Sequence, residues 1–263
     1  MRDHARGDHE PRASRARHRA EGADRVDARG ESPGTLYVVA TPIGNLEDLS
    51  LRALRILNEV DRVACEDTRR TRALLSHFDI HKPTLSYYEH NKLARGPEIV
   101  RQLVEGASIA LVTDAGTPGI SDPGFMLVRD ARAAGVPVVP VPGPSAVTTA
   151  LSAAGVPADR FVFDGFLPVK PGKRLNRLRA LEALEMTIVL YESPHRIGAT
   201  LQAIAEVFAA REIVVARELT KQFEESVAAT PAAHLERLMA GPVRGEFTVV
   251  IPQHRGPRET EAV

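Results

Sequence analysis

The sequence has a single cysteine, Cys65, among 263 residues. An internal disulfide and a cysteine-rich zinc site are excluded on that count, and a reducing, cytoplasmic setting is expected. Net charge is missing too. The 34 basic residues balance 34 acidic ones, so no global field draws the chain to nucleic acid, and any such contact has to come from a local patch. No apolar run is long enough to span a bilayer, so no membrane partner is expected. The nine histidines do not pair with Cys or carboxylates at recognised ligand spacings, and H-E-x-x-H is absent, so no metal is expected. Also absent are G-x-G-x-x-G with a downstream acidic residue, G-x-x-x-x-G-K-[ST] and G-x-S-x-G. These absences argue against the usual dinucleotide fold, a P-loop NTPase and a covalent hydrolase. Residues 1–33 lack Leu, Ile, Phe, Trp and Tyr and are dense in Arg, Asp, Glu and His. They cannot bury enough surface to offset ordering entropy, so a disordered tail is expected there, and a second at 254–263. The first tail has no apolar core of a secretory signal and is too acidic for a typical transit peptide.

From Gly34 onward the hydrophobic pattern alternates short β-branched runs with amphipathic stretches. TLYVVAT is followed by LSLRALRILNEV at helical spacing, then RVAC and TRALLSHF. The pattern continues through SIALVTD, FMLVRDARAAG, VPVVPV and SAVTTALSAAG, which predicts an α/β unit with a parallel or mostly parallel sheet. A second set follows: RFVFDGF, a basic helix, TIVLYES, HRIGATLQAIAEVFA, EIVVARE and EFTVVIP. Two α/β domains are therefore expected, 34–157 and 158–253, and a chain that is 43% hydrophobic can give each its own core.

Glycine and proline concentrate in the loops after predicted strands, where ligand sites of α/β proteins usually lie. In ATPIGNLEDLS, Pro42 and Gly44 shape a tight turn, Gly44 lets a ligand approach the backbone, and Asp48 or Ser50 can cap the next helix. TDAGTPGISDPG packs three glycines and two prolines around Asp114, Thr117, Ser121 and Asp122, more turn formers and polar groups than a connection needs. VPGPSAV places Ser145 at a helix start, either as an ordinary cap or beside free N–H groups that could bind a carboxylate. YESPHRI and ARELTKQFEE leave strands of the second half with charged residues behind apolar runs.

In order and spacing, TLYVVATPIGNLEDLSLRAL, ACEDTRRTRALL, LVTDAGTPGISDPG, VPVPGPSAVTTALSAAG, GFLPVKPGKR, YESPHRI and ARELTK resemble the signature segments of one family, from Gly34 to Pro252. That family is the 16S ribosomal RNA cytidine 2′-O-methyltransferases, a branch of the tetrapyrrole (corrin/porphyrin) methylase superfamily. The resemblance implies two α/β domains with S-adenosylmethionine in the cleft between them, commonly a homodimer, and methylation of a cytidine ribose in the decoding region of 16S ribosomal RNA, so the expected partner is that RNA or the small ribosomal subunit. The superfamily's Gly-Asp-Pro cofactor loop is matched by Gly116, Thr117 and Pro118, followed by Ile120 and Ser121, with Thr117 in place of the acidic residue. Asp114 or Asp122 is then the candidate to replace that carboxylate. Ser145 and Ala146 belong to the Pro-Gly-x-Ser-Ala element, and Tyr191, Glu218 and Phe247 fall where relatives surround the cofactor.

Methyl transfer from a sulfonium is an in-line displacement that asks mainly for positioning, plus a group to take the proton of a weakly acidic ribose hydroxyl. Candidates are Glu66, with Asp67 beside it, Glu89, with His90 beside it, and Lys221. Each could equally be a structural salt bridge or cap. Phosphate contacts are sought at VKPGKRLNRLR, where Lys170, Lys173, Arg174, Arg177 and Arg179 stand without an acidic residue between them, and at Arg69, Arg70 and Arg72. Tyr87, Tyr88 or Tyr191 could stack a base. A tetrapyrrole C-methyltransferase would share fold and cofactor but need an apolar trough rather than basic clusters. An RNA-binding assembly factor without turnover would keep the fold and the cofactor loops.

Overall fold

The computed structural model describes residues 32–253. The expected tails lie outside the described residues except for Ser32 and Pro33.

Strands β1 (Leu36–Val39), β2 (Arg62–Cys65), β3 (Thr84–Ser86), β4 (Ile109–Leu111) and β5 (Val138–Val141) form one sheet in the order β3-β2-β4-β1-β5, with every pair parallel. Parallel neighbours require crossovers, which put helices on both faces. α1 (Leu51–Glu59) and α2 (Thr68–His77) cover one face, α3 (Lys92–Val104) and α4 (Gly124–Ala133) the other. Period-two alternation sorts the strand residues between them: Val63 and Cys65 pack with Leu57 and Leu75, while Ala64 packs with Ile99, Leu103 and Leu127. Of the two candidate caps for α1, Ser50 takes the role, its Oγ accepting from the Ala53 N–H at 3.1 Å.

The second sheet holds β6 (Phe161–Phe166), β7 (Thr187–Glu192), β8 (Ile213–Arg217), β9 (Glu225–Ala229) and β10 (Phe247–Ile251) in the order β6-β7-β10-β8-β9. β6 and β7 are parallel and the other pairs antiparallel. Helices α6 (Pro171–Glu182), α7 (Ile197–Phe208) and α8 (Pro231–Met239) shield one face, with Leu178, Leu201 and Ile204 against Ile188, Leu190 and Val249. The opposite face is covered by α5 (Ala146–Ala153), the helix that follows β5 of the first sheet. Its Val147, Ala150 and Leu151 pack on Val189, Val214, Ala216 and Val250, joined by Ile43 from the loop after β1. This cross-packing turns the carboxyl ends of the first sheet's strands toward the second sheet.

Four elements fall outside the expected series: β3, α3, β9 and α8. β3 and β9 are edge strands, three and five residues long, without a fully buried residue. α3 contains Gly96 and Pro97, which read as a break, yet Ile99 and Leu103 anchor it in the core.

Candidate active site

The loops after β1, β4 and β5 are tied to one another. Thr41 and Gly116 exchange backbone hydrogen bonds of 2.9 and 3.0 Å, and the Thr41 hydroxyl donates to the Thr113 carbonyl at 3.0 Å. The Thr117 hydroxyl donates to the Pro144 carbonyl at 3.1 Å. Gly116 has φ +86°, a conformation that glycine adopts without steric cost. Asp122 gathers the rest of the loop by accepting from the N–H groups of Gly119 at 2.8 Å and Gly124 at 2.6 Å. Burial pushes its carboxyl up despite those amides, which pull the other way.

A second junction brings in the other sheet. The Asn45 N–H donates to Thr220 Oγ1 at 3.1 Å. A Cβ on Gly44 would stand 2.4 Å from Lys221 Cγ and 3.1 Å from the Leu219 carbonyl oxygen, so only glycine admits this approach. Lys221 Nζ donates to Glu218 at 2.8 Å and Glu246 at 3.0 Å. Burial alone would lower its pKa, but the two carboxylates outweigh it and the net shift is upward. Lys221 is therefore an ammonium clamp, a state that donates protons rather than accepting them. Glu218 and Thr220 sit at φ +51° and +66°, so this junction holds backbone strain.

Between the junctions lies a cavity of about 210 Å³. Of the cofactor residues named from the sequence, it is lined by Gly116, Thr117, Ile120, Ser145, Ala146, Tyr191 and Phe247. Ser145 makes no capping bond to its helix, and it lines the cavity at the start of α5. Tyr191 stands edge-on to Phe163 and Phe166 at 4.8 and 5.9 Å between ring centres. Phe247 turns its ring into the core beneath α7, with the Arg217 guanidinium 5.9 Å from the ring centre. Pro42 and Asp114 line a separate cavity on the far side of the Thr41–Gly116 bridge. Gly44 and Glu218 belong to the junction, and Ser121, at φ +63°, abuts Gly165.

Sequence reasoning missed Ile43, Phe166, Glu192, Glu246 and Thr248, all of which line the cavity. Phe166 and Glu192 lie inside quoted motifs and were within reach, whereas Glu246 and Thr248, which flank Phe247 in the quoted strand EFTVVIP, reach the cleft because β10 inserts between β7 and β8. Glu192 is buried, accepting from the Thr200 hydroxyl at 2.6 Å and the Ser193 N–H at 2.9 Å, with Arg196 Nε at 3.4 Å.

The three candidate proton acceptors stand in different surroundings. Glu66, at the carboxyl end of β2, has its carboxyl pushed up first by partial desolvation and then by Asp114 and Asp122. Glu89 is exposed before α3 and paired with Lys92 at 2.5 Å. Asp67, beside Glu66, is the cap of α2 and accepts from the Arg69 N–H at 2.8 Å.

Among the expected RNA-contacting residues, Lys170 and Lys173 are exposed. Arg69 folds onto Asp67 at 2.9 Å, and Arg70 stands 3.4 Å from Asp114. Arg177 is held by Asp164 through Nε at 2.9 Å. Arg174 departs from the expected exposed cluster. It is 6% exposed and its guanidinium donates to the carbonyls of Pro168 and Val169, because it shares the inner face of α6 with Leu178 and Leu181. Among the described residues no helix is long and apolar enough to cross a membrane, and no group of His, Cys, Asp and Glu could hold a metal ion. A larger cavity of about 410 Å³ lies beside α8, where Arg217 and Arg237 share the Glu225 carboxylate.

Residues 35–236 match the family of tetrapyrrole (corrin/porphyrin) methylases. The chain is 51% identical over 224 residues to a ribosomal RNA small subunit methyltransferase I of Xylella fastidiosa, covering 84% of this chain and 82% of that one. To the protein of the same name from Pseudomonas aeruginosa it is 48% identical over 236 residues, covering 88% and 83%. Its fold is similar to that of a Thermus thermophilus uroporphyrin-III C-methyltransferase crystallised with S-adenosyl homocysteine, with a TM-score of 0.61 at 19% identity over 83% of this chain and 97% of the other.

Proposed function

The chain belongs to the tetrapyrrole methylase family, among the ribosomal RNA small subunit methyltransferase I proteins, and from that premise we propose that it methylates the ribose 2′-hydroxyl of a cytidine in the decoding region of 16S ribosomal RNA, using S-adenosylmethionine. The observation that carries the reading is the cleft itself: three loops from the carboxyl ends of β1, β4 and β5, pinned by Thr41, Gly116 and Thr117, closed from the other side by Tyr191, Glu246 and Thr248. The reading includes a homodimer and a cytoplasmic location.

The lining fits such a cofactor. Ile43, Ile120, Ala146 and Tyr191 offer apolar surface to a purine, while the free Ser145 hydroxyl and the N–H groups opening α5 suit a carboxylate. Gly116 and the Thr248 hydroxyl remain for the sugar, and the Thr117 oxygen, its proton held by the Pro144 carbonyl, can accept from a sugar hydroxyl. When bound, the cofactor supplies an electrophilic methyl group on a sulfonium.

The chain's own part is positioning and proton transfer. Glu66 is the base this reading selects, because it follows β2 beside Asp114 and Asp122 and its raised pKa makes it a stronger acceptor than an ordinary carboxylate. Lys221, already protonated, holds the β8 and β10 loops together and sets the closed edge of the cleft. The exposed Lys170 and Lys173 and the arginines of α2 are the positions for phosphates.

The test is transfer of tritiated methyl from S-adenosylmethionine to small ribosomal subunits from cells lacking this protein, followed by nucleoside analysis. Label in 2′-O-methylcytidine is expected. Label in another nucleoside overturns the site, and cofactor binding without any RNA label overturns the RNA assignment and sends the search to tetrapyrrole acceptors.

A further inference from the structure

Behind the Thr41–Gly116 bridge, α2 and the loop after β1 flank an open groove of about 390 Å³, lined among others by Pro42, Leu46, Arg70, Leu74, His77 and Asp114. We propose that this cavity receives a nucleotide flanking the methylated one in single-stranded RNA, the base lying between Leu46 and His77 and its phosphate on Arg70. The inference rests on the RNA reading above and adds a subsite to it.

Three observations point the same way. The first is placement. The cavity and the cofactor cleft share one wall, the loops after β1 and β4: Pro42, Thr113 and Asp114 face one side, Ile43, Ala115 and Gly116 the other. A strand that presents one ribose to the cleft therefore passes its neighbour over this groove. The second is the surface offered. Leu46 is 37% exposed, an uncovered apolar side chain beside buried Pro42, and the exposed His77 ring is braced edge-on by Phe78 at 4.8 Å between ring centres. Single-stranded RNA is recognised by such flat, rigid surfaces, on which bases stack, together with cations that take the phosphates.

The third is the charge. α2 carries Arg69, Arg70 and Arg72 and no acidic residue. The Arg70 side chain is 68% exposed and, among the described residues, held by a 3.4 Å contact with Asp114 Oδ2. Asp114 Oδ1 meanwhile accepts from the Asp67 N–H at 3.0 Å, so its carboxylate keeps a partner when the guanidinium turns outward to a phosphate.

The experiment measures methyl transfer to unmodified small subunits by the wild-type protein and by His77→Ala, His77→Tyr, Arg70→Met and Ala73→Trp, all substituted at exposed positions. His77→Ala is expected to raise KM for the subunit about tenfold, the size of one lost stacking contact, while the cofactor Kd stays constant. His77→Tyr restores KM, which a purely structural role of the imidazole does not explain. Arg70→Met weakens binding and lowers the slope of log K against log salt by about one. Ala73→Trp, which fills the groove, raises KM as well. If the wild-type protein methylates the subunits and these variants leave KM for the subunit within twofold, the subsite is overturned and the RNA reading stands. If the wild-type protein binds cofactor but transfers nothing to RNA, the RNA reading itself fails and takes the subsite with it.

Discussion

At the scale of single residues, charge state separates candidates that composition treats alike. Glu66 follows β2 and Lys221 follows β8, but partial desolvation and the carboxylates of Asp114 and Asp122 push the Glu66 carboxyl up, while Glu218 and Glu246 keep Lys221 protonated. A base must be ionised to act, so activity that depends on Glu66 is lost as pH falls through its raised pKa. The acid limb of the kcat profile is expected above the ordinary carboxylate value. Glu66→Gln should lower kcat by about 10²–10⁴-fold and remove that limb without changing cofactor Kd, as checked by transfer rates from pH 4.5 to 8.5. A profile that keeps its limb in the variant assigns the titration to another group. Arg174 shows the same lesson for structure. It is basic and lies in a basic run, yet spacing of four and seven residues from Leu178 and Leu181 turns it inward, a signal that the helical period already contained.

At the scale of elements, the site is made by loops whose approach is set by missing side chains. The β1 loop meets the β8–β9 loop at Gly44, where the space for a Cβ is taken by Lys221 and by backbone of Leu219. Gly44→Ala is expected to cost about 1–3 kcal/mol of stability through overpacking, read by chemical denaturation, and to weaken cofactor binding, read by calorimetry. Full stability with unchanged affinity would mean that the two loops part freely. Ser50→Ala, which removes a cap distant from this contact, should cost about 1 kcal/mol and leave cofactor affinity unaltered. The loops were legible because TPIGN, DAGTPGISDPG and PGPSA concentrate turn formers after apolar runs. β9 was not, since its alternation of half-buried and exposed small residues carries little hydrophobic contrast.

At the scale of the whole molecule, α5 decides whether there is a cleft at all. It follows the last strand of the first sheet and packs on the second, so Val147, Ala150 and Leu151 carry the chain that leaves the first sheet into the core of the second. Leu151→Ala should destabilise by about 2–5 kcal/mol while unfolding stays a single transition in denaturant; a second transition would show that the two halves are not coupled through this helix. The sequence by itself determined the alternation of strands and helices, the existence of two sheets' worth of apolar runs, and the glycine- and proline-rich loops, because each of these is written in local periodicity and turn chemistry. Only the tertiary structure decided that β10 inserts between β7 and β8, that Glu246 and Thr248 thereby reach the cleft, and that Lys221 serves as a clamp. Those outcomes turn on which distant strands pair and which side chains meet across 25 residues or more of chain, as Lys221 and Glu246 do. Such pairings are settled by burial and packing, and no local pattern encodes them.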